Sequence, residues 1–177
     1  MYYGNIKPLS IENGSGVRVS LFVSGCTHRC EGCFSAQTWD FRYGKPYTRE
    51  TEDAVIGMLR PDYVAGLTLL GGDPAELSNQ RALLPLLLRI KRELPEKDVW
   101  VYSGYLYEDF LPGGPANCEV TERFLALCDV MVDGPFVQEK KNKMLSFRGS
   151  ENQRIIDLRK TRESGQVTVL QLDRQQV

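Results

Sequence analysis

Short apolar runs that each end in a glycine-bearing turn most limit what this chain can become: VRVSLFVS (17–24), AGLTLLGG (65–72), DVWVYSGY (98–105) and DVMVDG (129–134). The first alternates and is rich in β-branched residues, and the others are nearly continuous, as buried strands are. Stretches of helical period separate them. Residues 48–59 read as a helix, with Thr48 as N-cap and glutamates in the first turn. NQRALLPLLLRIKREL (79–94) has the same period, and Pro85 inside it marks a place to kink. CEVTERFLALC (118–128) reads as a third helix. Strands alternating with helices imply βαβ units and a mostly parallel sheet, so the expected class is α/β.

In such sheets, ligands collect beyond the carboxyl ends of the strands. The loop after Ser24, the Gly71–Gly72–Asp73 turn, Ser103–Gly104 and Asp133–Gly134 all follow predicted strands and would share one rim. No internal repeat, low-complexity segment or linker interrupts the pattern. The 177 residues are enough for one domain, 1–177, with a buried core. The polar tail from about 161 is expected to be irregular for part of its length.

The first rim segment, SGCTHRCEGCF (24–34), holds three of the chain's five cysteines: Cys26, Cys30 and Cys33. A disulfide needs two thiols and a structural zinc site usually four ligands. Thiolates are also the soft ligands of iron–sulfur clusters. Three of them on a four-iron cluster leave one iron open, and an open position marks a reactive site rather than a structural one. Cys118 and Cys128 lie far along the chain and do not share a helical face, so they read as packed or surface thiols, with completion of the site by one of them as the alternative. MYYGNIKPLS lacks the order of a signal peptide, which with clustered thiols points to a reducing cytoplasm. The net charge of −1 gives no basic field for nucleic acid, and no apolar run reaches the roughly 20 residues of a membrane span.

C-x3-C-x2-C after a first strand resembles the signature of the radical S-adenosylmethionine enzymes. NGSGVRVSLFVSGC (13–26) is similar to the run that opens the glycyl-radical-enzyme activases, and TWDF (38–41) follows the cysteine loop as it does there. LLGGDP (69–74) resembles the segment that meets the methionine amino group. VWVYSGY (99–105), DVMVDGPFV (129–137) and FRGSENQRIIDL (147–158) are similar to the branch that serves anaerobic ribonucleoside-triphosphate reductase. The resemblance spans about residues 13–158.

That resemblance implies an incomplete TIM-type βα barrel, with the cluster loop after the first strand. It implies a [4Fe–4S] cluster on Cys26, Cys30 and Cys33, with S-adenosylmethionine on the open iron. Cofactor contacts are implied at Gly32, Cys33, Phe34, Gly71, Gly72, Asp73 and Ser103, and the radical chemistry needs no catalytic side chain. Gly32 stands where many superfamily members carry an aromatic, so contacts there would be made by backbone; the reductase activases commonly have glycine. The implied partner is the anaerobic reductase and the implied reductant a flavodoxin.

Each residue also has a plainer reading. Gly71–Gly72 makes an ordinary strand-to-helix turn, Asp73 an N-cap, Ser103–Gly104 a strand end, and Asn13–Gly16 a flexible turn. His28, the single histidine, reads as an exposed loop residue, with metal binding as the alternative. Arg29 either raises the potential of a bound cluster or stays solvated. QEKKNK (138–143) reads as a solvated charged loop, and Arg148 and Arg154 as partner contacts or surface charge. Other functions fit the thiols: a radical enzyme acting on another glycyl-radical protein or on a small molecule such as a deazapurine precursor, or a zinc-binding interaction module. The short chain favours the activase, because a large substrate can cap an incomplete barrel. The count of three thiols speaks against zinc.

Overall fold

A computed structural model describes residues 1–172. In chain order the elements are β1 (Tyr2–Ser10), β2 (Val17–Val23), β3 (Lys45–Pro46), α1 (Arg49–Leu59), β4 (Val64–Gly71), α2 (Leu77–Glu93), β5 (Asp98–Tyr102), α3 (Thr121–Ala126), β6 (Val130–Asp133), β7 (Arg154–Asp157) and α4 (Leu158–Ser164). They form a mixed α/β fold on one seven-stranded sheet of order β3-β1-β2-β4-β5-β6-β7.

The four strands read from the apolar runs make the parallel centre: β2 pairs with β4, β4 with β5 and β5 with β6. The margins are antiparallel, with β1 on β2, β3 on β1 and β7 on β6. The sheet is open, with β3 and β7 at its edges, and is less uniformly parallel than the sequence pattern predicts. The first helix begins as expected: Thr48 accepts from the Thr51 N–H, and Thr51 Oγ1 accepts in return from the Thr48 N–H. The second begins two residues earlier than its period indicated and runs through Pro85. The third shortens to six residues, which leaves Cys118 before it and Cys128 after it. The tail is helical to Ser164, and Val169 then bridges to Ile156. Residues 173–177 of the expected irregular tail lie outside the described residues.

The pleat divides the sheet's work. Val19, Leu21 and Val23 of β2, Leu67 and Leu69 of β4, and Val99 and Val101 of β5 point to the helical side. There they meet Val55, Ile56 and Leu59 of α1 and Leu83, Leu86, Leu87 and Ile90 of α2, all buried. Each such side chain contributes about 1.5–3 kcal/mol on leaving water. The alternate positions face the other way. Trp100 and Val132 pack with Phe147 and Ile155, and the Tyr102 hydroxyl donates to the Phe147 carbonyl at 2.8 Å. Among the described residues no helix covers this second face as α1 and α2 cover the first, and the cavity described below lies on it.

Arg18 is fully buried on that face. Its guanidinium donates to Thr68 Oγ1 and to the carbonyls of Ser15 and Leu67, pairs with Asp98, and lies 5.3 Å from the Trp100 ring. Four of its five N–H donors are thus bonded, and pairing of this extent is what lets a buried charge persist. Among the described residues no helix is long and apolar enough to cross a membrane.

Candidate functional site

The carboxyl end of β2 is pinned before it reaches the thiols. Ser24 N–H donates to the Tyr2 carbonyl at 3.0 Å, Gly25 N–H to Thr38 at 2.7 Å and Cys26 N–H to Trp39 at 3.3 Å. Gly25 adopts a φ of 99°, and a Cβ there would lie 2.3 Å from the Phe41 ring. Only glycine combines that backbone with that contact. The neighbouring strand grips the same residues, because Gly72 N–H donates to Val23 and Asp73 N–H to Gly25, both at 2.8 Å. The cysteine loop and the Gly71–Gly72–Asp73 turn are thus directly bonded.

Gly71 has a φ of 107°. At Gly72, a Cβ would stand 2.5 Å from the Gly25 carbonyl oxygen. The missing side chain at Gly72 therefore makes room for the cysteine loop's own backbone.

Asp73 is 1% exposed. Its Oδ1 accepts from the Ala75 N–H at 2.8 Å, and its Oδ2 accepts from Gly104 N–H at 2.9 Å and Ser103 Oγ at 3.1 Å. The carboxylate ties the end of β4 to the end of β5. The Ser103 hydroxyl in turn accepts from the Tyr105 N–H at 3.1 Å. His28 corrects its sequence reading. Its side chain is only 18% exposed, with Nε2 3.0 Å from Asp73 Oδ2 and its ring 4.3 Å from that of Tyr105. A Cβ on Gly104 would lie 2.5 Å from the His28 ring, so this residue too is glycine for close packing.

One cavity of about 460 Å³ unites these pieces. Cys26, Cys30 and Cys33 line it with Gly71, Gly72, Asp73, Ser103 and Gly104, and Phe22, Leu70 and Tyr102 floor it from the uncovered sheet face. Phe34 lies at its edge, exposed, with its ring 5.5 Å from Phe136 and Lys141 Nζ 4.9 Å above it. Lys141, Lys143 and Arg148 stand on the wall, so part of the loop read as solvated charge borders the cavity. Gly32 does not line it: its φ of 71° turns the chain, and a Cβ would meet Gln138 Oε1. Arg154 is not a free surface charge: it pairs with the buried Asp133 and with Glu108.

The donor set suits a metal group. Burial, and then the negative charge of Asp73, pushes the Cys26 thiol up to about 12, and burial raises Cys30 as well. Thiolates in this wall need a cationic centre to stabilise them. Among the described residues no three such side chains converge on a point fit for a single ion. Three thiols lining one cavity suit a cluster, in which three of the four irons would take one thiolate each. Cys128 is fully buried in the helical core, and Cys118 Sγ lies 3.8 Å from Gln80 Oε1; neither lines the cavity.

Comparison with known proteins agrees with this geometry. The 4Fe–4S single cluster domain family matches residues 12–156. Proteins named anaerobic ribonucleoside-triphosphate reductase-activating protein are similar over nearly their whole lengths. That of Vibrio cholerae is 40% identical over 86% of this chain and 96% of its own. That of Salmonella typhimurium is 41% identical over 90% of this chain and all of its own, and that of bacteriophage T4 is 39% identical over 88% and 93%. This chain belongs to the anaerobic ribonucleoside-triphosphate reductase-activating protein family.

Two side chains of this family member escaped the sequence reading. Glu76, 7% exposed, accepts from both Thr27 N–H and Thr27 Oγ1 at 2.6 Å. Asn79, 1% exposed, donates to the Ser24 carbonyl at 3.1 Å and the Asp73 carbonyl at 2.8 Å. Both stand at the start of α2 and hold the cysteine loop from below. The available signal was their place just after GGDP, where the strand-end rule puts whatever faces the site.

Proposed function

We propose that this chain activates anaerobic ribonucleoside-triphosphate reductase, using a [4Fe–4S] cluster held by Cys26, Cys30 and Cys33 and S-adenosylmethionine bound at the open iron. One-electron reductive cleavage of the sulfonium is the chemistry that the bound cluster supplies, giving methionine and a 5′-deoxyadenosyl radical that takes a hydrogen atom from a glycine of the reductase and leaves as 5′-deoxyadenosine. The observation that carries this reading is the shared cavity: three thiols and the Gly71–Gly72–Asp73 turn border one space of about 460 Å³, within the usual range for a cofactor site.

The residues then take distinct parts. Cys26, Cys30 and Cys33 ligate. Gly71 and Gly72 present backbone to the methionine end, and Cys33 and Phe34 border the rest of the ligand. Asp73 and Ser103, whose polar atoms are engaged with each other and with neighbouring N–H groups, act by holding the turn in place. Gly32 shapes the loop around Cys33. We read β2, β4, β5 and β6 as part of a βα barrel whose missing wall leaves room for a macromolecular substrate, and residues 1–177 as a single domain acting in the cytoplasm with reduced flavodoxin as donor.

The test is anaerobic reconstitution followed by dithionite reduction. Iron near four per chain, a change in the reduced-cluster resonance on adding S-adenosylmethionine, and release of 5′-deoxyadenosine are expected. A colourless protein that keeps one zinc would refute the proposal.

A further inference from the structure

The wall that carries Cys26 has a second side. A separate surface depression is lined by Cys26, Thr27, Arg29, Trp39, Phe41 and Arg42, together with Asp40. Cys26 and Trp39 border this depression and the inner cavity alike. These two residues are the partition between the cofactor space and the outside, and they touch directly through the Cys26 N–H bond to the Trp39 carbonyl at 3.3 Å. Trp39 Nε1 is buried without a hydrogen-bond partner among the described residues.

The outer rim is basic and aromatic. Arg29 and Arg42 are exposed, as is Phe41, whose ring covers Gly25. Arg29 has a φ of 48° and follows His28 directly in the loop between Cys26 and Cys30. The one carboxylate of the rim, Asp40, accepts from the Arg42 backbone N–H at 2.8 Å.

We propose that this depression is the electron-entry face, a docking site for an acidic protein that carries one electron, and that the electron crosses the Cys26–Trp39 partition. The proposal rests on the activase reading above. In this step the donor loses one electron and the cluster gains one; no bond forms or breaks. Two guanidiniums against one engaged carboxylate favour an acidic surface, and such rim charges act chiefly on the rate of encounter. Entry from outside also leaves the inner cavity free, so donor and reductase can occupy the enzyme together.

The experiment follows cluster reduction by stopped flow in the reconstituted enzyme, with reduced flavodoxin as the probe. Arg29→Glu, Arg42→Glu, the double variant and the milder Arg42→Gln are compared at low and high salt. At low salt the double variant should be reduced about tenfold or more slowly than wild type, with its salt dependence lost. With dithionite, all variants should form as much 5′-deoxyadenosine as wild type. Wild-type rates with flavodoxin in the double variant would overturn the proposal. So would an equal loss with dithionite, which would assign the arginines to loop integrity. Wild-type enzyme that makes no 5′-deoxyadenosine with dithionite would instead refute the activase reading.

Discussion

Glu76 and Thr27 are joined twice: a single carboxylate oxygen accepts both the N–H and the hydroxyl of Thr27 at 2.6 Å. The start of α2 thereby fixes the residue next to the first thiol. Glu76→Ala should lower cluster occupancy on reconstitution and cost about 1–2 kcal/mol, since exposed Thr27 recovers part of its bonding from water. Glu76→Gln, which keeps an acceptor, should restore most of the iron. Iron per chain and urea midpoints for the two variants check this.

The cysteines should divide sharply. Serine at Cys26, Cys30 or Cys33 should abolish a properly liganded cluster, because a neutral hydroxyl replaces a soft thiolate. Cys118→Ser and Cys128→Ala should retain wild-type iron. Burial, aided by Asp129, pushes the Cys128 thiol up to about 12, so at pH 8 it stays protonated as well as inaccessible. Iodoacetamide should leave it unmodified in native protein and label it in urea. Loss of cluster iron in either the Cys118 or the Cys128 variant would contradict the three-ligand assignment.

The parallel centre and the thiol loop were legible because their signals are local. A continuous apolar run such as AGLTLLGG reads as a buried strand wherever it falls, and three cysteines in eight residues stand out in any context. Strand β1, YYGNIKPLS, did not read as one, because it is mostly unburied and contains Gly4 and Pro8. Strand β7 is four residues long and gains its place from antiparallel pairing with β6. The burial of Glu76 and His28 was not legible, for another reason. Glutamate at a helix start and histidine in a loop are usually solvated, and only the tertiary approach of α2 and β5 to the cysteine loop buries these two.

Gly72 offers a test of backbone contact against ligand contact. Gly72→Ala places a methyl against the Gly25 carbonyl, a backbone atom that cannot rotate away. Overpacking of this kind costs about 1–3 kcal/mol, and here the strain falls on the loop that leads into Cys26. Both iron content and melting temperature should drop. A variant with normal iron and stability that fails only to bind S-adenosylmethionine would show that the missing side chain makes room for the ligand and not for the loop.

Arg154 spans the far side of the rim. It donates through Nε to the fully buried Asp133 at 3.0 Å and also reaches Glu108. Arg154→Ala would strand Asp133, which retains the Tyr107 N–H at 2.8 Å. The loss should be about 3 kcal/mol, the lower end for a broken buried pair because Arg154 itself is 30% exposed. Arg154→Lys should recover part of it. Chemical denaturation measures both, and an unchanged urea midpoint in the alanine variant would contradict the role.

The most direct test of the central claim is electron paramagnetic resonance on the reductase itself. Reconstituted, reduced protein is mixed anaerobically with S-adenosylmethionine and the anaerobic ribonucleoside-triphosphate reductase of its own source. A glycyl doublet should appear on the reductase, accompanied by 5′-deoxyadenosine and followed by ribonucleotide reduction, and it should be absent with the Cys26→Ser, Cys30→Ser or Cys33→Ser variants. A reductase that stays radical-free, while the same preparation efficiently activates formate lyase or turns over a small molecule, would contradict the account.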